Sequence, residues 1–193
     1  MRLIVSAFVL LVLATTAGAS SSWPVSLSEG IAGVRLGMTQ AQVAARMGKP
    51  YAMTLPTGNV RCGLYARIQD FGACFDTRTH RVVSLNAIGP KFCVVRPHFC
   101  FQRVGGLAAL KRAFGRRLIG PHWSGEAGLF GNDELFYEYL GSRDGRRVQN
   151  AFVIDTQGSR PYRGSAVIAV YISFCGWQRG SIPPCPKRRQ ERG

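Results

Sequence analysis

The sequence predicts an α+β protein made of two tandem helix-plus-antiparallel-sheet repeats, packed as one disulfide-stapled unit. Two observations support this fold class. A short amphipathic helix precedes several strand-like segments, and the same order of elements returns after about seventy residues. Six cysteines follow the apolar N-terminus, and an even number is typical of disulfide-bonded exported proteins. Because each predicted sheet has one face to cover, we expect the two halves to pack against each other.

Residues 1–19 have the features of a cleavable signal peptide. Met1-Arg2 supplies positive charge, Leu3–Leu13 is a nearly unbroken apolar run, and Ala17-Gly18-Ala19 is the small-residue pattern that precedes cleavage. The apolar run is shorter than the roughly 20 residues that cross a bilayer, so an uncleaved anchor is the less favoured alternative. We therefore predict a secreted or cell-envelope protein, cleaved after Ala19, with no transmembrane helix in the mature chain.

The first predicted helix is delimited at both ends. Thr39, followed three residues later by Gln42, forms a capping box in which each side chain bonds the backbone amide of the other residue. Val43 and Met47 lie one turn apart and would form a buried stripe. Gly48 favours a left-handed end to the helix.

Strand-like segments follow each helix. The first repeat is predicted over 20–95 and the second over 96–177, where the helical stripe spans Leu107–Phe114. The strand-like segments span 60–68, 72–76 and 81–88 in the first repeat and 135–140, 147–156 and 166–174 in the second. Residues 178–193 are predicted to be a basic C-terminal tail.

The cysteines are expected to form disulfides. Their positions are Cys62, Cys74, Cys93, Cys100, Cys175 and Cys185. Six cysteines allow 15 pairings, of which proximity along the chain favours 62–74, 93–100 and 175–185, and the connectivity stays open. Cys93, His98 and Cys100 would supply three zinc ligands without a fourth, and no Cys-x-x-Cys occurs, so no metal site is predicted.

The net charge of the chain is +15, from 25 Lys and Arg against 10 Asp and Glu. Such a charge favours anionic surfaces such as phospholipid or cell-wall polymer. A solvated surface with an arginine-rich coding bias is the simpler alternative. The aromatic-plus-basic pattern of nucleic-acid-binding modules is absent, so no nucleic-acid partner is expected.

The sequence contains no recognisable catalytic motif. His80, His98 and His122 lie in turn-like or proline-flanked segments, and no serine lies in a Gly-x-Ser-x-Gly elbow. The glycines of 128–131 lack the Lys and Ser/Thr of a phosphate-binding loop. We therefore predict no catalytic residue, no cofactor and no enzymatic activity.

An aromatic set near the predicted second sheet is the candidate partner-binding surface, because Tyr and Trp bury large areas at interfaces while keeping a polar group. It comprises Trp123, Phe130, Phe136, Tyr137 and Tyr139. Two of these residues lie in the glycine-rich connection Gly120–Asn132, and loops of this length within compact domains tend to be functional or disordered. Core packing is the alternative at each single position.

The motif Gly37-Met38-Thr39, opening a short helix that closes at Gly48, resembles the β-lactamase-inhibitor-protein-like fold. It is also similar to the helix-then-sheet domain of small outer-membrane-assembly lipoproteins. The spacing of Cys62 and Cys74, the duplicated layout and the string Tyr162–Ala166 are similar to the secreted inhibitor. The second half departs from this pattern, because it lacks both the Gly-Met-Thr start and an internal cysteine pair.

The resemblance implies a protein-binding role, with a β-lactamase as one partner in that family. We expect an exported, non-enzymatic protein-binding module that is inhibitor-like and recognises another exported or envelope protein. The alternative is an envelope-associated structural protein, held to anionic polymer or lipid by its arginine-rich surface.

Overall fold

The computed structural model describes residues 22–65, 67–68, 70–123, 135–156, 161, 164–176 and 185. These residues form an eight-stranded sheet, a five-stranded sheet and two short α-helices. The predicted signal peptide lies outside the described residues, as does the predicted tail apart from Cys185. Neither described helix has the length and apolar character that a bilayer span requires.

The strands, in chain order, are β1 Trp23–Ser26, β2 Gly30–Ile31, β3 Val34–Arg35, β4 Ala52–Met53, β5 Val60–Leu64, β6 Phe71–Asp76, β7 Val82–Ile88, β8 Phe92–Val94, β9 Phe99–Cys100, β10 Leu118–Trp123, β11 Leu135–Arg143, β12 Arg146–Ile154 and β13 Val167–Phe174. The helices are α1 Gln40–Met47 and α2 Gly106–Phe114, and a 3₁₀ turn, Gly115–Arg117, follows α2.

The larger sheet has the order β10-β11-β12-β13-β7-β6-β5-β4 and is antiparallel throughout. Strands from the two halves of the chain meet at its centre. There β13 pairs with β7, with Ala169 opposite Ile88 and Ser173 opposite Ser84. The sheet therefore continues across the boundary that was predicted between the two repeats.

The predicted fold class, α+β with two tandem helix-plus-sheet repeats, is wrong. The described residues are mostly β, with helices of 8 and 9 residues, and their strands form two sheets that do not correspond to the two halves of the chain. The error has a physical cause. The prediction paired each strand with its neighbours in sequence, whereas β7 and β13 pair across a long chain separation that no local pattern specifies.

The smaller sheet, of order β3-β2-β1-β8-β9, contains none of the predicted strands. Three of its strands are only two residues long, too short for an alternating hydrophobic pattern to be visible. β1 pairs in parallel with β8, and Trp23 lies opposite Phe92. The other pairs are antiparallel.

The main core lies between the larger sheet and a layer formed by the smaller sheet and the two helices. Val25 of the smaller sheet, Leu85 of the larger sheet and Leu110 of α2 are each 0 % exposed in this cluster. Side chains alternate between the two faces of a strand. A second buried cluster therefore lies on the opposite face of the larger sheet, and it includes Phe136 and Tyr171.

The local predictions for α1 are confirmed. Thr39 is its N-cap, and the capping box is complete, because Gln42 N–H donates to Thr39 Oγ1 at 3.2 Å and Thr39 N–H donates to Gln42 Oε1 at 2.8 Å. Val43 and Met47 are buried. Only the conformation of the end differs from the prediction: the helix ends at Gly48, whose φ of 81° favours glycine but whose ψ of −173° lies outside the left-handed helical region.

The prediction of disulfide bonds is also confirmed. Three disulfides join 62–74, 93–100 and 175–185. The first two connect residues directly opposite each other on β5 and β6 and on β8 and β9. Three disulfides are compatible with an oxidising compartment.

Candidate anion-binding site

A cleft of about 460 Å³ lies at the end of the larger sheet where β7 begins and where β11 turns into β12. Four arginines line it: Arg35, Arg81, Arg143 and Arg146. Asp144 is the one acidic residue of the lining. We call this feature the arginine cleft.

Three different parts of the fold bring these arginines together. Arg35 ends β3, Arg81 immediately precedes β7, and Arg143 and Arg146 lie on either side of a two-residue hairpin turn. The turn residue Asp144 has φ 49° and the next residue, a glycine, has φ 74°. Two positive φ values define the tight turn that matches the twist of the flanking strands.

The hairpin places two like charges side by side. Arg143 and Arg146 are directly opposite each other across β11 and β12. Cross-strand neighbours project from the same face, and like charges in this position destabilise a sheet. Asp144 offsets little of this charge, because its side chain is 83 % exposed and surface ion pairs are weak.

Contacts to the backbone and to an aromatic ring hold three of the guanidinium groups. Arg81 Nη1 donates to the carbonyl oxygen of Gly37 at 2.8 Å, and Arg143 Nη1 donates to that of Glu29 at 3.1 Å. The Arg146 guanidinium carbon lies 3.6 Å from the centroid of the Phe174 ring. A guanidinium carries five N–H donors, and each of these contacts uses only some of them.

The Arg143 Nε–H is the most unusual donor in the cleft. The nitrogen is buried and has no hydrogen-bond partner among the described residues. Asp144 Oδ2 lies 3.4 Å away without forming a hydrogen bond. Because Asp144 already lies against this N–H, the donors left for an anion are the guanidinium N–H groups that the contacts to Gly37, Glu29 and Phe174 do not use.

This arrangement suits the binding of an anionic group. Planar guanidinium groups match the oxygen geometry of phosphate and carboxylate. Leu36, Met38 and Phe174 add an apolar wall.

A second polar cluster lies on the face of the larger sheet that carries Phe136. The Glu138 side chain is 1 % exposed, and its Oε2 accepts a hydrogen bond from Gln149 Nε2 at 2.6 Å. Its Oε1 lies 3.8 Å from His122 Nε2, which is buried and without a hydrogen-bond partner in the described part of the chain. Burial raises the pKa of Glu138 to about 7, although the hydrogen bond from Gln149 acts in the opposite direction.

The structure places the four described members of the predicted partner-binding set in different environments. Trp123 is 44 % exposed at the end of β10, whereas Phe136 and Tyr137 are 0 % and 5 % exposed and pack in the two buried clusters. Tyr139 is half-buried, stacks on Phe114 with a centroid distance of 4.3 Å, and lines another cleft. Phe130 lies outside the described residues, together with 124–132 of the predicted binding loop.

The cysteines considered as zinc ligands are engaged otherwise. Cys93 and Cys100 are bonded to each other, so neither is a thiolate. Within the described ranges, no three His, Cys, Asp or Glu side chains come together in a group that could hold a metal ion.

Comparisons with models of known families, with curated proteins and with solved structures gave no significant match. The resemblance to the inhibitor-protein-like fold and the inhibitor-like activity it implies therefore stay predictions.

Sequence reasoning missed the arginine cleft. One local signal was present: the turn dipeptide Asp144-Gly145 between two strand-like segments marks a tight hairpin, with an arginine on each side. No local signal connects this hairpin with Arg81, which the pairing of β13 with β7 brings near it, or with Arg35, which the smaller sheet supplies.

Proposed function

We propose that this protein is an exported binding protein that recognises an anionic partner through the arginine cleft. The single observation that carries the proposal is the cleft lining itself, in which the described residues include four arginines and one aspartate, with Arg143 and Arg146 directly opposite each other. A phosphate or carboxylate group would accept hydrogen bonds from these guanidinium groups and lower the repulsion between Arg143 and Arg146.

Net charge and fixed geometry support the same proposal. The chain carries a net charge of +15, which attracts anions over long range before any contact forms. Contacts to Gly37, Glu29 and Phe174 restrict three guanidinium groups, so less side-chain freedom is lost on binding. The partner class we favour is the anionic polymer or lipid of a cell envelope, which the apparent signal peptide would allow the protein to reach.

The test compares two double variants that remove the same charge. Arg143→Gln/Arg146→Gln alters the cleft, whereas Arg112→Gln/Arg116→Gln alters two exposed residues at α2 and its following turn. Binding to phosphatidylglycerol vesicles and to soluble polyphosphate is measured as salt is raised. We expect the cleft variant to bind at least about tenfold more weakly, since each lost charge-assisted contact removes about 1.5–3 kcal/mol.

The control variant should lose little affinity, because its arginines contribute only to the long-range field. Equal weakening in the two variants would assign binding to the overall charge and contradict a specific cleft. The single variant Arg146→Gln leaves the hydrogen bond from Arg143 to Glu29 in place and guards against an effect of misfolding.

The second candidate function is recognition of another exported protein through aromatic side chains. Trp123 favours it, because it is 44 % exposed and lies at the end of β10, beside the predicted binding loop. Large amphipathic rings in such positions are frequent interface anchors. Trp123→Ala should then weaken capture of a purified partner, while Val104→Ala, an apolar change at a still more exposed position, should not.

A further inference from the structure

We propose that a second cleft, distinct from the arginine cleft, binds the phosphate group of a phosphate monoester. This cleft of about 700 Å³ is lined by Arg67, Lys91, His98 and Arg103, with Trp23 beside them. The described residues of the lining include no Asp or Glu. The inference goes beyond the proposed function, because it concerns a different part of the surface and a specific ligand chemistry. We call this feature the phosphate cleft.

Four separate segments supply its positive groups. Arg67 comes from the connection between β5 and β6, and Lys91 from the turn after β7. His98 lies between β8 and β9, and Arg103 lies shortly before α2. The tertiary fold therefore brings these positive groups together, and they are not neighbours along one helix.

The walls of the cleft are held in place. The Cys93–Cys100 disulfide ties β8 to β9 and forms part of the lining. The backbone N–H of Trp23 donates to the carbonyl oxygen of Lys91 at 2.7 Å, which joins the start of β1 to the turn after β7. An Arg67 guanidinium N–H donates to the carbonyl oxygen of Arg46 at the end of α1.

Within the described part of the chain, no ion pair balances the positive charges of Arg67, Lys91 and Arg103, whereas His122–Glu138 and Arg143–Asp144 are paired elsewhere. A phosphate monoester carries a charge of about −1.5 to −2 at pH 7 and has three strong acceptor oxygens. A phosphate monoester therefore suits the combined charge and hydrogen-bond donors of Arg67, Lys91 and Arg103 better than a carboxylate, which carries a single charge.

The two clefts are far enough apart to act independently. Arg81 of the arginine cleft precedes β7, and Lys91 of the phosphate cleft follows it. A strand rises about 3.3 Å per residue, so β7 separates the two ends by roughly 20 Å. The clefts share no lining residue.

Trp23 provides a local readout of binding. Trp23 lines the cleft, and the chain has two other tryptophans, Trp123 and Trp177. Both are replaced by phenylalanine, so that the tryptophan fluorescence comes from Trp23 alone. Its fluorescence is titrated with inorganic phosphate and with glycerol phosphate, with sodium chloride at matched ionic strength as the reference. We expect a saturable change with both phosphates and a smaller, non-saturating change with chloride or acetate.

A crossover of variants assigns the site. In the single-tryptophan background, Lys91→Gln/Arg103→Gln should weaken phosphate binding about tenfold or more, since it removes two charge-assisted contacts. Arg143→Gln/Arg146→Gln removes the same charge from the arginine cleft and should leave this titration unchanged. Each variant is first compared with its parent by thermal unfolding, and Lys91→Gln alone serves if the double variant is unstable.

The source of the phosphate group is distinguished with vesicles. Phosphatidic acid in a phosphatidylcholine vesicle presents a monoester at a lipid surface, and stronger binding to it than to glycerol phosphate would identify a lipid headgroup. Equal affinities would identify a soluble phosphomonoester. The proposal is overturned if chloride and phosphate change the Trp23 fluorescence alike, or if Lys91→Gln/Arg103→Gln binds phosphate as its parent does. Failure of the arginine-cleft experiment would leave these outcomes unaffected.

Discussion

Ser28 and Asn150, separated by 122 positions in the chain, exchange two hydrogen bonds inside the protein. Ser28 N–H donates to Asn150 Oδ1 at 2.6 Å, and Asn150 Nδ2 donates to Ser28 Oγ at 3.0 Å. Asn150 Nδ2 also donates to the carbonyl oxygen of Tyr139 at 3.0 Å. Ser28 belongs to the turn between β1 and β2, and Asn150 lies in the middle of β12. The pair therefore joins the smaller sheet to the larger one.

Replacing Asn150 should destabilise the protein strongly. Asn150 is 0 % exposed, and Asn150→Ala would leave the Ser28 N–H and the Tyr139 carbonyl without this partner in a buried environment. We expect a loss of about 2–4 kcal/mol in the free energy of unfolding, measured by urea denaturation. Asn59→Ala, at an exposed position, is the matched control and should change stability by less than about 0.5 kcal/mol. Similar losses in the two variants would contradict the role of the pair.

Gly141 packs closely against the turn that contains Ser28, and a larger residue would not fit there. A Cβ atom at this position would lie 1.9 Å from Ser28 Oγ and 2.8 Å from Ser28 Cβ. Gly141→Ala should therefore cost about 1–3 kcal/mol of stability through overpacking. Ser28 has a positive φ of 65°, which glycine adopts readily, so Ser28→Gly removes the obstructing side chain without backbone strain, although it also removes the hydrogen bond from Asn150 Nδ2 to Ser28 Oγ.

The double variant Gly141→Ala/Ser28→Gly should consequently be more stable than Gly141→Ala alone. Thermal unfolding of the wild type, both single variants and the double variant completes the cycle. Strictly additive losses would show that the two side chains do not compete for the same space.

Glu138 should make the protein less stable as the pH rises. Its folded-state pKa is raised from 4.5 to about 7 by burial, so the folded protein retains the proton while the unfolded chain releases it between these values. Stability should therefore be greatest below about pH 4.5 for this group and fall across the window to about pH 7, by up to about 3 kcal/mol. Glu138→Gln, which keeps an acceptor for Gln149, should remove this decline.

The measurement is the free energy of unfolding of the wild type and of Glu138→Gln at several pH values in this window. Glu29→Gln, at an exposed carboxyl, is the control and should leave the pH slope of the wild type in place. An unchanged slope in Glu138→Gln would mean that burial does not hold a proton on this group.

The Cys62–Cys74 disulfide should contribute substantially to stability. It joins residues 12 positions apart and restricts the unfolded chain. Replacing both cysteines by alanine should lower the free energy of unfolding by about 3 kcal/mol. The free energies of unfolding of the wild type and the variant are measured with denaturant and without reductant, so that the other two disulfides stay intact. A loss below about 0.5 kcal/mol would show that strand pairing alone restricts this segment.

Local chemistry made part of the fold predictable. The capping box at Thr39 and Gln42 depends on residues three positions apart. It therefore sets the start of α1 independently of the elements against which the helix packs. Segments rich in β-forming residues, separated by turn residues, located most strands of the larger sheet, because both signals are local. Disulfide pairing followed proximity, since each bond joins neighbouring cysteines along the chain.

The candidate sites were much less predictable. The arginine cleft needs Arg35 and Arg81 beside the hairpin that carries Arg143 and Arg146, and nothing in the flanking residues specifies that approach. For the aromatic residues, the sequence predicted a binding surface where the structure has buried side chains. Phe136 has the size and character of an interface anchor, yet a second buried cluster on the far face of the sheet encloses it.

By itself, the sequence determined the short helices, six strands of the larger sheet, the bonded cysteines and the strongly basic character of the chain, whereas residues 120–123, predicted as part of a loop, belong to β10. Each of these depends on residues close together in sequence or on composition alone. Only the tertiary structure decided that β7 pairs with β13, that Ser28 reaches Asn150, and that two separate clefts collect positive charge. These relationships join distant segments, and their register is selected by the combined burial of both sheets, which no single segment encodes.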